Sequence, residues 1–477
     1  MLSISGKNWI EESINKRLIE KIKIDHNLED IIAKIIISRN FSESEIFSMN
    51  NNIEISNPFT RNSDFLKFYK ILDKSLSNNE KIVIIGDYDV DGCVSTSLMV
   101  NFLKKNKAKV TYYIPDRVKD GYGANKELII KLLLKYNPRL IVFLDCGSNS
   151  YKALNFIKSK KIDSFIIDHH NTQEPYPLTN IFINPKKNNG YKNYEYLCTT
   201  FLVYLFIDLY IKNNQLKFSI KHEQIYVLLA TVADVMPIRD LNRTLAINVL
   251  KNFKVNTNLI FETLFTYFNL KRKLKLEDLG FLIAPIFNSA GRLDNANQIV
   301  DLLTTNSNYN KLSIIKKIYI LNKKRKFIEE QCINELNFKD IFNQKGVLFI
   351  YKSGINEGII GIIASRIKDY YKKPCIVLTN SNNIIKGSAR STSDFNIGEY
   401  IQKALNEKIL LSGGGHNLAA GVSLLKSKIN NFKKFLDNYY EKIDHKQKNY
   451  YISKISLNAV NKDFLKDINI IGPFGHK

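Results

Sequence analysis

Short apolar segments alternate with amphipathic ones from residue 81 onwards. Three of the apolar segments have the length of β-strands and are followed at once by polar residues: 81–86, 139–144 and 163–167. Two further short segments, KVTYYI at 109–114 and IFIN at 181–184, have the same character. The segments 93–105, 126–136 and 151–159 between them are predicted to be helices. This alternation predicts a parallel sheet with helices on both faces, which is an α/β fold.

The rest of the chain is predicted to be mainly helical, with a second α/β unit near its end. Residues up to about 77 are polar and predicted to be helical, and helices should dominate 199–305. Residues 310–342 are predicted to form one long charged helix with Ile314, Ile315, Ile318, Leu321 and Ile328 as its apolar stripe. Such a helix is either an ordinary surface helix or a spacer between two domains. Its position between the two α/β units favours a spacer. Strands near 347–351 and 375–379 indicate the second unit.

The residues that follow the three strands are rich in aspartate and histidine. They are DYDVDG at 87–92, LDCG at 144–147 and DHH at 168–170. Because the carboxyl ends of parallel strands meet in one crevice, these side chains are expected to lie together. So many like charges need compensation by divalent cations, and two-metal sites commonly cleave phosphate esters. The sequence therefore predicts a site for two metal ions.

Individual residues within these segments suggest how such a site is built. Alternation along an extended segment would bring Asp87, Asp89 and Asp91 to one point. A calcium-binding loop or a plain acidic turn is the alternative, but a helix is predicted where a calcium loop needs further oxygen ligands. Asp234 places a carboxylate in an otherwise apolar predicted helix at 230–237, where a metal partner would offset the cost of burial.

Asp145 and the paired histidines complete the predicted centre. Gly147 leaves room for an ion beside Asp145, although a strand-end aspartate often has only a structural role. Adjacent histidines behind an aspartate favour metal binding over a structural role. One of the two imidazoles, in His169 or His170, would bind metal while the other faces the substrate.

Composition narrows the choice of partners and compartment. The net charge of +24 over 477 residues suggests a polyanionic partner such as nucleic acid, although scattered lysines would also follow from an AT-rich genome. The five cysteines form no CxxC pair, which favours a reducing compartment. Residues 1–10 lack the apolar region of a signal peptide, and 197–211 is too short and interrupted to span a bilayer. We therefore expect a cytoplasmic enzyme with no membrane partner.

Two glycine-rich segments lie in the second unit, GSARS at 387–391 and GGGHNLAAG at 413–421. Glycine lets backbone amides approach a phosphate closely, and Ser and Arg add directed donors. Either segment alone is equally compatible with an ordinary turn.

The motifs taken together resemble a known family. DYDVDG, LDCG, DHH and ATVADVMP, in this order, are similar to the four signature motifs of the DHH phosphoesterase superfamily. IPDR at 114–117, GYG at 121–123, NSAGRL at 288–293, GIIGIIASR at 358–366 and the two glycine-rich segments resemble those of its single-strand-specific exonucleases. The resemblance extends from about residue 55 to the C-terminus.

The resemblance implies a role for each matching position. The implied ligands of two Mn²⁺ or Mg²⁺ ions are Asp87, Asp89, Asp91, Asp145, His169 and Asp234. Asp145 would bridge the ions, His170 would contact the scissile phosphate, and Arg292 would bind the neighbouring backbone. The residues implied to bind substrate are Arg117, Tyr122, Asn288, Arg292, Ser388, Arg390 and His416. Arg117, Ser388 and Arg390 would hold the 5′-terminal phosphate. Asn356 stands where members of the family usually carry a histidine, so the resemblance implies no phosphate contact for this position.

The implied activity is 5′-to-3′ hydrolysis of single-stranded DNA to 5′-mononucleotides in repair and recombination. The implied protein is a monomer that cooperates with a helicase and a single-strand binding protein. A phosphodiesterase acting on short oligonucleotides or cyclic dinucleotides shares the metal site, but the IPDR, GYG and NSAGRL motifs disfavour it. A pyrophosphatase would need neither GSARS nor the positive charge. An inactive nucleic-acid-binding scaffold is disfavoured because every ligand position is filled.

Five parts are predicted along the chain. They are an N-terminal helical segment (1–55), a DHH catalytic domain (56–308), a connecting helix (309–343), a DHH-associated domain (344–445) and an incomplete OB-fold (446–477). The incomplete OB-fold is predicted from two features. Residues 450–457 alternate between apolar and polar side chains like the opening strand of a β-barrel, and residues 470–475 resemble the turn that leads into the remaining strands of an OB-fold. We expect a truncated reading frame or a lineage that has lost this module.

Overall fold

The computed structural model describes residues 8–51, 53–116, 120, 123–187, 191, 193–381, 384–443 and 449–475. The chain divides into two compact units. The first comprises Met1–Gly291, Asn295–Ile318 and Lys448–Lys477, and the second comprises Arg292–Asp294 and Tyr319–Gln447. The five-part division predicted from the sequence stays a prediction.

The first unit contains a five-stranded sheet enclosed by helices. The strands of this sheet are β2 (Lys81–Ile85), β3 (Lys109–Tyr113), β4 (Leu140–Leu144), β5 (Asp163–Ile167) and β6 (Ile181–Ile183). Two further strands of the unit, β1 (Trp9–Glu11) and β12 (Asn449–Tyr451), form a separate two-stranded sheet. Its helices up to the sheet's last strand are α1 (Lys16–His26), α2 (Asp30–Ser38), α3 (Glu43–Asn50), α4 (Ser63–Ser77), α5 (Val90–Lys105), α6 (Lys126–Tyr136) and α7 (Tyr151–Ser159). The later ones are α8 (Thr199–Asn213), α9 (Gln224–Ala233), α10 (Asp240–Asn252), α11 (Leu259–Tyr267), α12 (Leu276–Asp278), α13 (Ala284–Leu293), α14 (Asn297–Thr304) and α20 (Lys462–Ile470).

The order of the main sheet is β3-β2-β4-β5-β6, and all neighbouring strands are parallel. Every residue of β4 is buried, as are four of the five residues in β2 and in β5, because helices cover both faces. The strand order reverses between β2 and β4, which creates a crevice at their carboxyl ends. The predicted α/β fold is therefore confirmed for this unit.

The second unit is built on a smaller mixed sheet. Its strands are β7 (Leu348–Tyr351), β8 (Cys375–Ser381), β9 (Ile384–Arg390), β10 (Ser412–His416) and β11 (Ala419–Leu424), in the order β10-β11-β9-β8-β7. Its helices are α16 (Phe338–Phe342), α17 (Ile360–Tyr371), α18 (Ile397–Asn406) and α19 (Ile429–Tyr440). One face of the sheet packs on α17 and the other on α18 and α19, each through its own apolar cluster.

The long charged helix is shorter than predicted. Helix α15 (Asn308–Asn334) begins in the first unit and ends in the second. The chain then breaks, because Asn337 caps the separate helix α16 by accepting from the backbone amides of residues 339 and 340. Ile315 and Ile318 are buried as predicted. Towards the C-terminal end, however, buried positions carry a polar cluster of Asn322, Arg325 and Glu329.

The C-terminal segment differs from the predicted opening strand of a barrel. Only β12, Asn449–Tyr451, is a strand within 449–475, and it pairs in parallel with β1. A 3₁₀ turn at Leu457–Ala459 and helix α20 follow it. Ile471 then packs against an apolar cluster of Ile32, Ile36 and Ile46 from the N-terminal helices. Ile471 thereby attaches the end of the segment to the N-terminal helices.

Candidate metal centre

The acidic loop after β2 brings its three aspartates to the crevice through a tight turn. Asp87 follows the strand, the Asp89 side chain caps α5 by accepting from the amide of Gly92, and Asp91 lies in the first turn of α5. The prediction that these residues share an extended segment is therefore wrong. A Cβ atom at Gly92 would lie 2.5 Å from the backbone N and O of Asp87, so the turn requires glycine.

Asp145 lies at the end of β4 in a left-handed conformation. Its φ is +61°, which is uncommon for a residue other than glycine and is often found at functional sites. The backbone amide of Asp145 donates to the carbonyl of Ile167, and its Oδ1 accepts from the hydroxyl of Thr199 at 3.0 Å. The carboxylate is thereby held, fully buried, at the floor of the crevice.

His169 joins the carboxylates into one cluster. Its Nε2 atom lies 3.4 Å from Oδ1 of Asp145, 3.1 Å from Oδ2 of Asp234 and 3.8 Å from Oδ2 of Asp91. Ligand atoms lie within 4.8 Å of one another in three overlapping triplets: Asp87, Asp89 and Asp145; Asp91, His169 and Asp234; and Asp145, His169 and His170. The structure therefore brings all six predicted metal ligands together.

Asp234 is placed differently from the sequence prediction. It does not lie within a helix but caps the C-terminus of α9, and the following Val235 has a φ of +56°. Val235 is β-branched, so this left-handed conformation is strained. The turn directs the chain out of α9 immediately after the carboxylate.

Burial and mutual repulsion raise the pKa values of four of the aspartates, Asp87, Asp89, Asp145 and Asp234. Burial, with the charge of Asp89 adding to it, raises the pKa of Asp87 to about 7. Burial and the neighbouring aspartates raise the pKa values of Asp145 and Asp234 well above their ordinary range. Burial lowers the pKa of His169 to about 4, so its ring is neutral near pH 7 and able to bind a metal.

The donor set fits a divalent cation. Among the described residues, three buried atoms of the cluster have no hydrogen-bond partner: Oδ2 of Asp145 and both ring nitrogens of His169. Buried polar atoms are normally paired, so the Asp145 oxygen and the one His169 nitrogen that carries a lone pair are available to a cation. Carboxylate oxygens with one imidazole suit Mn²⁺ or Mg²⁺.

Asp168 and His170 form a pair whose arrangement the sequence does not reveal. Oδ1 of Asp168 accepts from the backbone amides of both histidines and lies 2.7 Å from Nδ1 of His170, while Oδ2 accepts from the amide of Ser148. These contacts outweigh burial and lower the pKa of Asp168. Burial opposes protonation of His170, but Asp168 outweighs it and raises the pKa of His170 to about 10. Asp168 therefore favours the protonated form of His170 and fixes the orientation of its ring.

Sequence reasoning missed several supporting residues. Both oxygens of Asp91 accept backbone N–H groups at 2.8 Å, from Thr199 and Thr200 at the N-terminus of α8. Asn184, after β6, donates to the hydroxyl of Ser148 and to the carbonyl of His170. The sequence could have indicated Asn184, because it directly follows the apolar residues of a short predicted strand, as Asp145 and Asp168 do.

Helix α13 is attached to the acidic loop. A Cβ atom at Gly291 would lie 2.3 Å from the carbonyl oxygen of Tyr88, so only glycine permits this approach. Asn288, one of the predicted substrate residues, lies on the same helix and is half-buried. Asn288 therefore lies on a helix that contacts the acidic loop, and its substrate role stays a prediction.

In the second unit, Ser388 and Arg390 lie beside the beginning of α17. Arg390 Nη1 donates to the hydroxyl of Ser388 at 3.0 Å. A Cβ atom at Gly361 would lie 2.9 Å from both Arg390 Nη2 and Ser388 Oγ, so glycine leaves room for these polar groups at the helix N-terminus. The first amides of a helix lack intrahelical partners and favour anions.

His416 lies in line with this pair. Strand register aligns Arg390 with Ala419 and Ala419 with His416, so the three side chains lie on one face of the sheet. Arg292, assigned to the same unit, donates from Nη1 to the carbonyl of Gly358 at 2.9 Å. Arg117 and Tyr122, two further predicted substrate residues, lie outside the described residues.

Two family models match the chain: the N-terminal domain of the DHH family over residues 81–232, and the DHHA1 domain over residues 344–442. The chain belongs to the DHH family. The DHH match contains the whole main sheet and ends two residues before Asp234, and the DHHA1 match contains the whole sheet of the second unit. Together the matches cover more than half of the chain.

Several curated DHH-family relatives are named single-stranded-DNA-specific exonuclease RecJ. The protein from Bacillus subtilis is 26% identical, with 99% of this chain and 60% of that protein covered. The protein from Haemophilus influenzae is 30% identical, with 76% and 66% covered, and that from Escherichia coli is 28% identical, with 80% and 70% covered. The matched region thus spans 60% to 70% of the length of these three relatives.

Solved structures share the fold. RecJ from Thermus thermophilus in complex with Mn²⁺ aligns with a TM-score of 0.86 at 20% identity, over 99% of this chain and 69% of that one. An exonuclease RecJ bound to manganese aligns with a TM-score of 0.68 at 23% identity, over 83% and 97%. The expected fold of a DHH domain followed by a DHH-associated domain is confirmed. No helix among the described residues has both the length and the apolar character needed to cross a membrane.

Proposed function

We propose that the chain is a metal-dependent exonuclease that hydrolyses single-stranded DNA in the 5′-to-3′ direction and releases 5′-mononucleotides. The observation that carries the proposal is the cluster of carboxylates around His169, with its unpartnered buried atoms at the carboxyl ends of β2, β4 and β5. The names of the DHH-family relatives support single-stranded DNA as the substrate. The net charge of +24 is consistent with a polyanionic substrate.

Two ions would share this cluster. Asp87 and Asp89 would bind one, Asp91, His169 and Asp234 would bind the other, and Asp145 would lie between them. Bound Mn²⁺ or Mg²⁺ would supply a water of lowered pKa and neutralise charge on the phosphate. Because burial raises the pKa values of Asp87, Asp89 and Asp145, a bound cation would be needed to keep these carboxylates ionised.

His170 would act on the substrate rather than on the metal. Asp168 holds Nδ1 of His170 and favours its protonation, and Nε2–H would donate to a phosphoryl oxygen. A charge-assisted donor of fixed orientation stabilises negative charge that increases during hydrolysis. Arg292, and Asn288 on the face of α13, would hold the neighbouring strand.

The direction of digestion would come from the second unit. Ser388, Arg390 and the first amides of α17 would form an anion pocket suited to a 5′-terminal phosphate. His416, on the same face as Arg390, would contact the following backbone. We also propose that the protein is a cytoplasmic monomer acting in repair and recombination beside a helicase and a single-strand binding protein.

End-labelled substrates test this function. With Mn²⁺ present, a 5′-labelled single strand should release labelled mononucleotide at once, whereas a 3′-labelled strand should shorten progressively. A blunt duplex should resist, and chelation by EDTA should abolish all cleavage. Release of label first from the 3′ end, or internal cuts, would contradict the proposal. Hydrolysis confined to dinucleotides or cyclic dinucleotides would support the small-substrate alternative, and binding without hydrolysis would support an inactive scaffold.

A further inference from the structure

An exposed aromatic ring lies on the helix that leads to the metal centre. The segment Leu279–Ile283 is π-helical and continues directly into α13. Within it, the side chain of Phe281 is 77% exposed, whereas Leu279 and Ile283 are buried. Folding leaves this ring in solvent, and π-helical turns occur frequently at functional sites.

Phe281 shares a face with a predicted substrate residue. Among residues 281–290, Phe281 is exposed and Leu282, Pro285 and Asn288 are half-buried, while the others are buried. Phe281, Pro285 and Asn288 are separated by four and three residues, which places them along one side of a helix. A strand contacting Asn288 along this side would next meet the ring, about 10 Å away for seven residues at 1.5 Å each.

The same segment contacts the helix that carries a proposed metal ligand. A Cβ atom at Gly280 would lie 3.2 Å from Cγ1 of Val232, and Val232 is two residues before Asp234. At its other end, Gly291 packs against the backbone of Tyr88 in the acidic loop. The stripe from Phe281 to Asn288 is therefore flanked by a contact with α9 at one end and a contact with the acidic loop at the other, within the first unit.

We propose that Phe281 is a positioning residue whose ring stacks on a nucleobase of the bound single strand. This inference rests on the proposed function. The added contact would not depend on the DNA sequence, because every base offers a π-face for stacking. Such a contact requires an unpaired base, so it favours single strands over duplex. It is independent of the anion pocket in the second unit.

Binding is tested with 2-aminopurine placed at successive positions from the 5′ end of an oligonucleotide. The Asp145→Asn background prevents hydrolysis during the measurement. One position should show quenched fluorescence with Phe281 or with Phe281→Trp, and the quenching should be lost with Phe281→Ala. The same pattern at every position, or quenching that survives in Phe281→Ala, would overturn the inference.

Steady-state kinetics in the active enzyme provide the second measurement. Phe281→Ala should raise KM for single-stranded DNA by about 5- to 150-fold, the range expected for one stacked base. Hydrolysis of bis(p-nitrophenyl) phosphate should stay within twofold, because the metal centre is unchanged. Phe47→Ala is the matched control, since Phe47 is also exposed, at 58%, but lies on α3.

The outcomes separate this inference from the proposed function. If the unmodified enzyme digests single-stranded DNA and Phe281→Ala matches Phe47→Ala in KM, the stacking role is wrong and the function stands. If the unmodified enzyme digests no single strand, the proposed function fails first. A loss shared equally by DNA and bis(p-nitrophenyl) phosphate would show a structural effect and would also overturn the stacking role.

Discussion

At the scale of single residues, hydrogen bonding distinguishes Asp168 from Asp145. Asp168 stands in the DHH motif, yet its carboxylate is fully engaged by backbone amides and by His170. Oδ2 of Asp145, in contrast, has no partner among the described residues. Two acidic residues that look alike in the sequence therefore differ, because the oxygens of Asp168 are satisfied by donors whereas Oδ2 of Asp145 is available to a cation.

Arg390 should determine the preference for a phosphorylated end. Its guanidinium lies beside Ser388 and the start of α17, so Arg390→Ala removes the charged donor from the pocket. The unmodified enzyme should degrade 5′-phosphorylated strands in preference to 5′-hydroxyl strands, and the variant should lose this preference. One charge-assisted hydrogen bond is worth about 1.5–3 kcal/mol, or roughly a 10- to 150-fold change in relative kcat/KM.

Competition between 5′-phosphorylated and 5′-hydroxyl strands measures this ratio, with Lys434→Ala as a surface control. An unmodified enzyme that treats both ends equally would remove the basis for this pocket.

At the scale of elements, the sequence predicted the strands and their polar ends well. Apolar runs bounded by acidic residues identify β2, β4 and β5 within one residue of their observed bounds, because burial on both faces leaves a continuous apolar run. Local pattern did not reveal that Asp91 binds the N-terminus of α8, since residues 91 and 199 are distant in the chain. It also did not reveal the break in the long helix before α16, which depends on the cap by Asn337.

The contact between α13 and the acidic loop yields a prediction about element packing. Gly291→Ala places a methyl group 2.3 Å from the carbonyl oxygen of Tyr88, so the loop or the helix must move. We expect a loss of stability of about 1–3 kcal/mol by urea denaturation, as for overpacked sites, with weakened Mn²⁺-dependent hydrolysis. Gly414→Ala is the control, because an added side chain there meets no described atom within 4 Å. Equal stability of the two variants would show that this contact does not hold the loop.

At the scale of the whole molecule, the metal centre links folding to cation binding. Five aspartates that are dispersed in the unfolded chain are gathered beside His169 in the native state. Without cations this arrangement opposes folding by electrostatic repulsion and desolvation. The remaining buried surface of the first unit must overcome that cost, and a bound cation removes it.

This linkage predicts a pH-dependent stabilisation by metal. The pKa of Asp87 is about 7 in the metal-free native state against an ordinary 3.8, so the native state binds this proton more tightly than the unfolded chain. Its stabilising contribution is present below about pH 4 and is lost as the pH rises through about 7. Saturating Mg²⁺ should therefore raise Tm more at pH 8 than at pH 5.5, where protons compete for the carboxylates. Asp87→Asn should reduce this difference in calorimetry, whereas Asp463→Asn, 82% exposed, should not. Equal shifts at both pH values would contradict the linkage.

The most direct test of the metal centre is to count bound Mn²⁺ by electron paramagnetic resonance while measuring hydrolysis on the same samples. The unmodified chain should bind two ions per molecule. Asp145→Asn should bind fewer than two and lose activity by a factor on the order of 10³, because the charge between the ions is gone while the shape is kept. Asp463→Asn should match the unmodified chain in both measurements. An absence of saturable Mn²⁺ binding, or more than a tenth of the activity in Asp145→Asn, would contradict the assignment of this cluster as the catalytic metal site.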